Sequence, residues 1–153
     1  MQTLELRIPP VALVILMAAL IGLASWTMPA FVFEFPFRRI LSVSLWIIGA
    51  IVSGLGIVSF RRARTTVNPM KPDSASSLVT SGIYRRTRNP MYLGFLMVLL
   101  GWAVFLSNAL AFLVLPAFIF YMNRFQIEPE ENALHALFGR QFAAYRSRVR
   151  RWL

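Results

Sequence analysis

The sequence predicts an all-α fold, a polytopic membrane helix bundle of about four spans. The chain has 153 residues, of which 58% are hydrophobic, and its mean hydropathy of +0.62 exceeds that of typical soluble domains. Residues 40–60 carry no ionisable side chain and lie between the arginine pairs 38–39 and 61–62. A helix of that length matches a hydrocarbon core of about 30 Å. We therefore expect residues 1–153 to form one integral membrane domain.

The other spans follow from two further apolar stretches. The uncharged stretch 8–33 begins with two prolines and is too long for a signal-peptide centre, so we expect a retained first helix at about 8–28, before the span at 40–60. Residues 91–123 as one helix would be about 50 Å long, which overshoots a membrane. A turn at Ser107-Asn108 would divide this stretch into a helical hairpin. The hairpin helices are expected at about 88–106 and 109–126.

The distribution of positive charge predicts the orientation in the membrane. Seven of the 16 Lys and Arg residues lie in 61–90 and six lie from residue 124 onward. By the positive-inside rule, the loop 61–87 and the C-terminal segment 127–153, with its expected helix, are cytoplasmic. Four spans then place both termini inside, and the short chain suggests a bacterial inner membrane.

Composition also excludes several kinds of partner and site. The net charge of +10 could suit nucleic acid, but the arginines flank spans and no reading motif is present. Anionic phospholipid headgroups are the simpler partner. The chain has no cysteine and one histidine, His135, so neither a thiolate nucleophile nor a histidine metal cluster is available within one chain.

Small residues in the second predicted span allow two interpretations. Gly49 and Ser53 are four residues apart, and such spacing lets membrane helices approach closely. Alternatively, Gly54 and Gly56 leave room for a flat ligand against the helix backbone. On spacing alone, packing is favoured.

The stretch 81–95, SGIYRRTRNPMYLGF, combines charge and aromatic rings at the entrance to a span. Arginines for lipid phosphates and tyrosines for the headgroup region would make it an interfacial anchor. That interpretation does not account for the crowding of Tyr84, Arg88, Asn89 and Tyr92 around one turn. A pocket wall is the alternative function.

Three of the six acidic residues follow the fourth predicted span, at Glu128, Glu130 and Glu131. A helix that starts at Pro129 would be stabilised by acids in its first turn. Carboxylates at the mouth of a membrane bundle also suit a positively charged ligand, because partial burial strengthens the attraction. The sequence favours neither of these two interpretations over the other.

Taken together, these elements resemble a known family. A glycine pair in one span, then LVTSGIYRRTRNPMYLG, a helical hairpin and EENALHALFGRQFAAYRSRVRRW are similar to the membrane methyltransferases that include isoprenylcysteine carboxyl methyltransferases and phospholipid N-methyltransferases. The resemblance covers about residues 40–153. It implies S-adenosylmethionine as cofactor at the cytoplasmic mouth, and a membrane lipid or small amphipathic molecule as methyl acceptor.

The resemblance also implies candidate cofactor residues. The positions that match the family's glycine and glutamate pairs are Gly54, Gly56, Glu130 and Glu131. The family's Arg-His-Pro-x-Tyr motif matches the residues at 88–92. We assign these further residues to the pocket wall: Tyr84, Arg88, Asn89, Pro90 and Tyr92.

Two departures from the family pattern are visible. Asn89 replaces the motif's histidine, which argues against any mechanism that needs an imidazole there. Phe142 stands where a tyrosine is common.

The acceptor's chemistry decides which side chains would be catalytic. A carboxylate acceptor would suit an arginine clamp, for which the candidates are Arg88, Arg140, Arg146 and Arg148. An amine acceptor must lose a proton, and Glu130 or Glu131 could accept it if the cofactor does not occupy them. Replacing Glu131 with Gln is expected to weaken cofactor binding and leave folding intact.

Two other functions remain open at this level. A membrane reductase of related bundle architecture would bind a nicotinamide cofactor instead. A noncatalytic membrane protein would hold anionic lipid on its basic face and would not need the glutamate pair. The sequence does not indicate the acceptor or the oligomeric state.

Overall fold

The computed structural model describes residues 5–63 and 76–153. Within these ranges the regular structure is helical, and the only β contact is an isolated bridge between Val32 and Asn108. The five α-helices are α1 (Pro10–Thr27), α2 (Arg38–Arg62), α3 (Pro90–Leu106), α4 (Val114–Tyr121) and α5 (Glu128–Arg148). Short 3₁₀ helices occur at Pro29–Phe31, Gly82–Arg85 and Ala109–Leu113, and a π-helix occurs at Met122–Ile127. The predicted all-α fold is confirmed.

The helices are consistent with a membrane bundle. By length and composition, α1, α2 and the continuous helical stretch Ala109–Arg148 can cross a bilayer. Helix α3 is equally apolar but has only 17 residues, about 26 Å at 1.5 Å per residue. Part of the predicted loop 61–87 lies outside the described residues, as do residues 1–4.

Helices α2 and α3 are in close contact through small residues. A Cβ at Gly94 would lie 2.1 Å from Ser53 Oγ and 2.4 Å from the Gly49 carbonyl oxygen. Ser53 Oγ donates to the Met91 carbonyl at 3.1 Å, which links the two helices where α3 begins. Packing, the favoured interpretation for Gly49 and Ser53, is what the structure shows.

The predicted turn at Ser107-Asn108 is present, and it is buried. Ser107 has a left-handed backbone with φ of 50°, and both residues have 0% exposure. Asn108 Oδ1 accepts from the Leu110 amide at 3.0 Å, while its Nδ2 donates to the Met28 carbonyl at 2.9 Å. The turn therefore joins the hairpin to the end of α1.

The acidic cluster does not follow a free helix start at Pro129, which was one of its two interpretations. Helix α5 continues from α4 through the π-helix, because both Ile127 and Glu128 have right-handed helical backbone angles. Pro129 has no amide hydrogen to donate to the Phe125 carbonyl, and the Leu6 amide donates to that oxygen instead at 3.0 Å. The acidic cluster consequently lies inside a helix and not at a free amino end, so the expected stabilisation by a helix macrodipole does not apply.

Helix α5 bends at Gly139, whose φ of 45° is outside the helical region. The part beyond the bend packs on the 3₁₀ helix Gly82–Arg85. Tyr145 Oη donates to the Tyr84 carbonyl at 2.7 Å, and Phe142 is buried in the same cluster with 1% exposure. This contact brings the 3₁₀ helix, the start of α3 and helix α5 around one cavity.

Candidate functional site

A cavity of about 90 Å³ lies where α3 begins, next to the first turns of α5. Its polar lining comes from Ser77, Tyr84, Arg88, Asn89, Tyr92, Glu130, Glu131 and Tyr145. Its apolar lining comes from Phe60, Leu78, Val79, Met91, Leu134 and Phe142. The cavity thus pairs adjacent carboxylates with an aromatic and aliphatic wall, an arrangement typical of a small-molecule site.

Glu131 is held between two arginines. Arg88 donates through Nη2 to Oε1 at 2.7 Å, and Arg151 donates through Nη2 to Oε2 at 2.7 Å. The Nε atoms of both arginines also donate to Oε1, at 3.2 Å and 3.3 Å. Burial would raise the pKa of Glu131, but the hydrogen bonds and charges of Arg151 and Arg88 outweigh it and lower the pKa. Glu131 is therefore an ionised carboxylate whose oxygens are already occupied.

Glu130 has neutral partners instead. Its Oε1 accepts from Tyr92 Oη at 2.5 Å and from Gln126 Nε2 at 2.6 Å. Burial raises the pKa of Glu130 to about 7, although the two hydrogen bonds act in the opposite direction, and the neighbouring Glu131 charge adds to the rise. Near neutral pH this group exchanges a proton readily. It can therefore pair with a ligand cation or act as a general base.

The segment 149–152 lies outside the cavity lining and supports it through hydrogen bonds. The Arg150 carbonyl accepts from the Arg88 amide at 3.0 Å, and the Arg151 carbonyl accepts from Thr87 Oγ1 at 3.2 Å and Asn89 Nδ2 at 3.0 Å. Asn89, which replaces the family's histidine, thus acts as a donor to the backbone of this segment. It leaves no acid-base group at that position.

The aromatic end of the cavity is formed by Phe60, Tyr84, Phe142 and Tyr145. The rings of Tyr84 and Phe60 meet edge to face with centroids 5.4 Å apart. Burial raises the pKa values of Tyr84 and Tyr145 well above the ordinary value. Both tyrosines therefore stay neutral and serve as walls and hydrogen-bond groups.

The structure brings together most of the residues that the sequence singled out. Those that line the cavity are Tyr84, Arg88, Asn89, Tyr92, Glu130 and Glu131. Pro90 does not line it, and its ring would lie 3.3 Å from a Cβ at Gly56, so these two residues pack α2 on α3. A Cβ at Gly54 would meet nothing within 4 Å. Arg140 is exposed and outside the lining.

Sequence reasoning missed two residues that organise the carboxylates. Gln126 lies four residues before Glu130, so helical spacing was a signal for their contact. Arg151 lies beyond the last helix, and no periodicity could connect it with Glu131. Within the described part of the chain, no group of three His, Cys, Asp or Glu residues is placed to hold a metal ion.

Comparisons with known proteins identify similar sequences. A sequence model of the phospholipid methyltransferase family matches residues 37–141. An uncharacterized protein of Haemophilus influenzae is 46% identical over 63 residues, which are 41% of this chain and 100% of that protein. No solved structure matches significantly.

Two plant relatives carry functional names. A probable protein-S-isoprenylcysteine O-methyltransferase of Oryza sativa is 30% identical over 116 residues, which cover 76% of this chain and 61% of the rice protein. Protein-S-isoprenylcysteine O-methyltransferase B of Arabidopsis thaliana is 30% identical over 107 residues, which cover 70% of this chain and 54% of that relative. The chain thus spans little more than half the length of these named relatives.

Proposed function

The chain belongs to the phospholipid methyltransferase family, and from this premise we propose that it transfers a methyl group from S-adenosylmethionine to a lipid-like or small amphipathic acceptor at the cytoplasmic membrane face. The observation that carries the proposal is the cavity with its two unlike carboxylates. Glu131 is neutralised by arginines, whereas Glu130 is free of any cationic partner among the described residues. A cationic ligand is the complement that Glu130 lacks.

The residues present fit S-adenosylmethionine by their chemistry. When bound, this cofactor supplies a methyl group on a positively charged sulfur. Glu130 offers a carboxylate to a positive group, and Tyr84 and Phe142 offer apolar surface to a flat ring. The cavity of about 90 Å³ is smaller than the roughly 300 Å³ or more of typical ligand sites, so its lining must open on binding.

The two carboxylates have different roles in this proposal. Glu130 attracts the ammonium group that S-adenosylmethionine and S-adenosylhomocysteine share, because its own charge is partly buried and the described donors to its Oε1 are neutral. Glu131 keeps Arg88 in place at the cavity wall. Proximity and orientation then supply the rate, since the methyl transfer itself needs no metal.

The nucleophile of the acceptor distinguishes two versions of the proposal. A carboxylate acceptor needs an arginine, and among the candidate arginines Arg88 is occupied by Glu131, while Arg140, Arg146 and Arg148 are exposed. An amine acceptor needs a base, and the pKa of about 7 at Glu130 suits that role. Glu130 can serve as this base only if the cofactor does not occupy it, so the role assigned to Glu130 above leaves both acceptors open.

The location at the membrane surface is part of the proposal. Exposed arginines surround the mouth of the site, on the 3₁₀ helix and on the last turns of α5 and beyond, at Arg85, Arg86, Arg146, Arg148 and Arg150. Such a surface suits anionic phospholipid headgroups. With both termini cytoplasmic, as the positive-inside rule predicts for a bacterial inner membrane protein, the acceptor would enter from the inner leaflet.

Calorimetric titration of the detergent-purified protein with S-adenosylhomocysteine tests the cofactor. We expect binding by the wild type, no binding of a nicotinamide cofactor, and weaker binding by Glu130→Gln. The matched control is Glu128→Gln, because Glu128 pairs with the partly exposed Arg124 outside the cavity. Absence of binding by folded wild-type protein would refute the proposal.

A radiolabel assay tests the acceptor. Tritiated S-adenosylmethionine is supplied with vesicles that contain phosphatidylethanolamine, or with a small prenylated cysteine. Label in the phospholipid supports an amine acceptor, and label in the prenylated cysteine supports a carboxylate. Release of the label by base treatment identifies a methyl ester, whichever acceptor was supplied.

A further inference from the structure

Arg151 is connected to the site without lining the cavity. Its guanidinium binds Glu131 through Nη2 at 2.7 Å and through Nε at 3.3 Å. Its Nη1 also donates to Asn123 Oδ1 at 3.4 Å, an oxygen that accepts from Trp152 Nε1 at 3.1 Å as well. One arginine therefore joins the segment 149–152 to both the π-helix and the first turn of α5.

The segment 149–152 has no helical hydrogen bonds of its own beyond Val149, where α5 ends with an extended backbone. Its position depends on the backbone hydrogen bond from Arg88 to Arg150 and on side chains, among which Arg151 provides a charged contact. In return, the backbone carbonyls of the segment fix two residues of the cavity wall. The Val149 carbonyl accepts from the Arg88 guanidinium, and the Arg151 carbonyl accepts from Asn89 Nδ2 at 3.0 Å.

Arg151 and Arg88 also depend on each other through Glu131. The Glu131 side chain is 8% exposed and that of Arg88 is 10% exposed, so each charge needs its partners. Without Arg151, one carboxylate oxygen loses its 2.7 Å donor and the carboxylate can rotate away from Arg88. Both effects would displace the wall of the cavity from a distance.

We propose that Arg151 is a positioning residue of the cofactor site, which orients Arg88 and Asn89 by clamping Glu131 and the segment 149–152. The inference rests on the proposed function, and it assigns Arg151 no contact with the cofactor. An arginine is required there, because only its planar fork can bind one carboxylate through two nitrogens and also reach Asn123.

The test compares Arg151→Gln, Arg151→Lys and Arg150→Gln in calorimetric titrations with S-adenosylhomocysteine. We expect Arg151→Gln to weaken binding by roughly tenfold to a hundredfold, because the ligand must then reorder a wall that has lost a charged hydrogen bond, and Arg151→Lys to restore part of the affinity. Arg150→Gln removes the same charge from the adjacent residue, which is exposed. The described contact of Arg150 with Arg88 is made by its backbone carbonyl, which the substitution keeps. It should bind like the wild type.

Hydrogen exchange of the peptide 85–92 gives a second readout that needs no ligand. Exchange at the Arg88 amide, which donates to Arg150, should be faster in Arg151→Gln and unchanged in Arg150→Gln. Wild-type protein that does not bind S-adenosylhomocysteine would refute the proposed function, while the exchange result would still decide whether Arg151 holds the wall. Unchanged exchange in Arg151→Gln would overturn the positioning role. The same conclusion would follow if Arg151→Gln bound the ligand with wild-type affinity and only its melting temperature fell.

Discussion

The affinity for S-adenosylmethionine should depend on pH through Glu130. Burial raises the pKa of this carboxyl from 4.5 to about 7, which corresponds to about 3 kcal/mol for charging the group in the folded protein. A bound cation stabilises the charged form and lowers that pKa. Binding below pH 7 must therefore release the proton of Glu130, and the affinity should be about tenfold weaker at pH 6 than at pH 8.

Calorimetry measures this effect directly. At pH 6, titrations in buffers of different ionisation enthalpy should show release of about one proton per ligand bound. Glu130→Gln should bind more weakly, without proton release and with little pH dependence, whereas Glu128→Gln should behave like the wild type. Equal wild-type affinity at pH 6 and pH 8 would refute the assignment of Glu130 to a positive group.

Unliganded protein gives an independent check of the same pKa. Because the folded state binds this proton more tightly than the unfolded state, the free energy of unfolding should fall as pH rises from about 4.5 to about 7. The total loss from this group should be about 3 kcal/mol, and Glu130→Gln should remove it. If the stability of the wild type and that of Glu130→Gln depended on pH in the same way, the raised pKa of Glu130 would be contradicted.

Four further substitutions test the ion pairs, the helix packing and one hydrogen bond. Glu131→Gln should lower the free energy of unfolding by about 3 kcal/mol in denaturant titrations, because it leaves buried arginine charge without its partner. Unchanged stability would show that the ion pairs make no net contribution to the free energy of unfolding. Gly94→Ala should destabilise the α2–α3 contact by about 1–3 kcal/mol. Gly54→Ala should unfold like the wild type, because its new methyl group meets open space. Loss of cofactor affinity in folded Gly54→Ala would support the interpretation that Gly54 leaves room for a ligand. Tyr145→Phe should cost about 1 kcal/mol in thermal unfolding by removing the hydrogen bond to the 3₁₀ helix, and no change would indicate that water replaces it.

The sequence was sufficient for the helices and for the turn between α3 and the following helix. Hydrophobic length is a strong signal because the bilayer has a fixed thickness, and a polar pair such as Ser107-Asn108 inside a 33-residue apolar stretch strongly favours a turn. The stretch around Arg88 and the glutamate pair were also predicted to be functional, but for the glutamates this followed from the family resemblance, because the residues alone left a structural interpretation equally open.

The different partners and pKa values of the two glutamates, Glu130 and Glu131, could not be predicted from the sequence. From sequence they were equivalent, and both were assigned to the cofactor. In the structure the same helix turns Glu131 toward two arginines and Glu130 toward Tyr92 and Gln126, so one pKa falls and the other rises. The arginine partners are distant in sequence, with 43 residues between positions 88 and 131, and no local pattern indicates them.

A free helix start at Pro129, one of the two interpretations that the sequence left even, is not what the structure shows. Proline commonly occupies the first turn of a helix, so the local rule pointed to a helix start. The structure satisfies the backbone differently, because the Leu6 amide replaces the missing donor at the Phe125 carbonyl and a π-helix precedes the proline. That partner lies more than a hundred residues away in the chain, beyond the reach of local rules.

The position of segment 149–152 also has a consequence for biosynthesis. Thr87 and Arg151 are in contact although 64 residues separate them, and ribosomes make Arg151 only after α2, α3 and α4. A nascent chain can therefore insert its helices while this support of the site is still missing. Cofactor binding would report that α5 and the segment 149–152 have been synthesised and docked, and a fluorescent cofactor analogue could follow the assembly of the site during translation into nanodiscs.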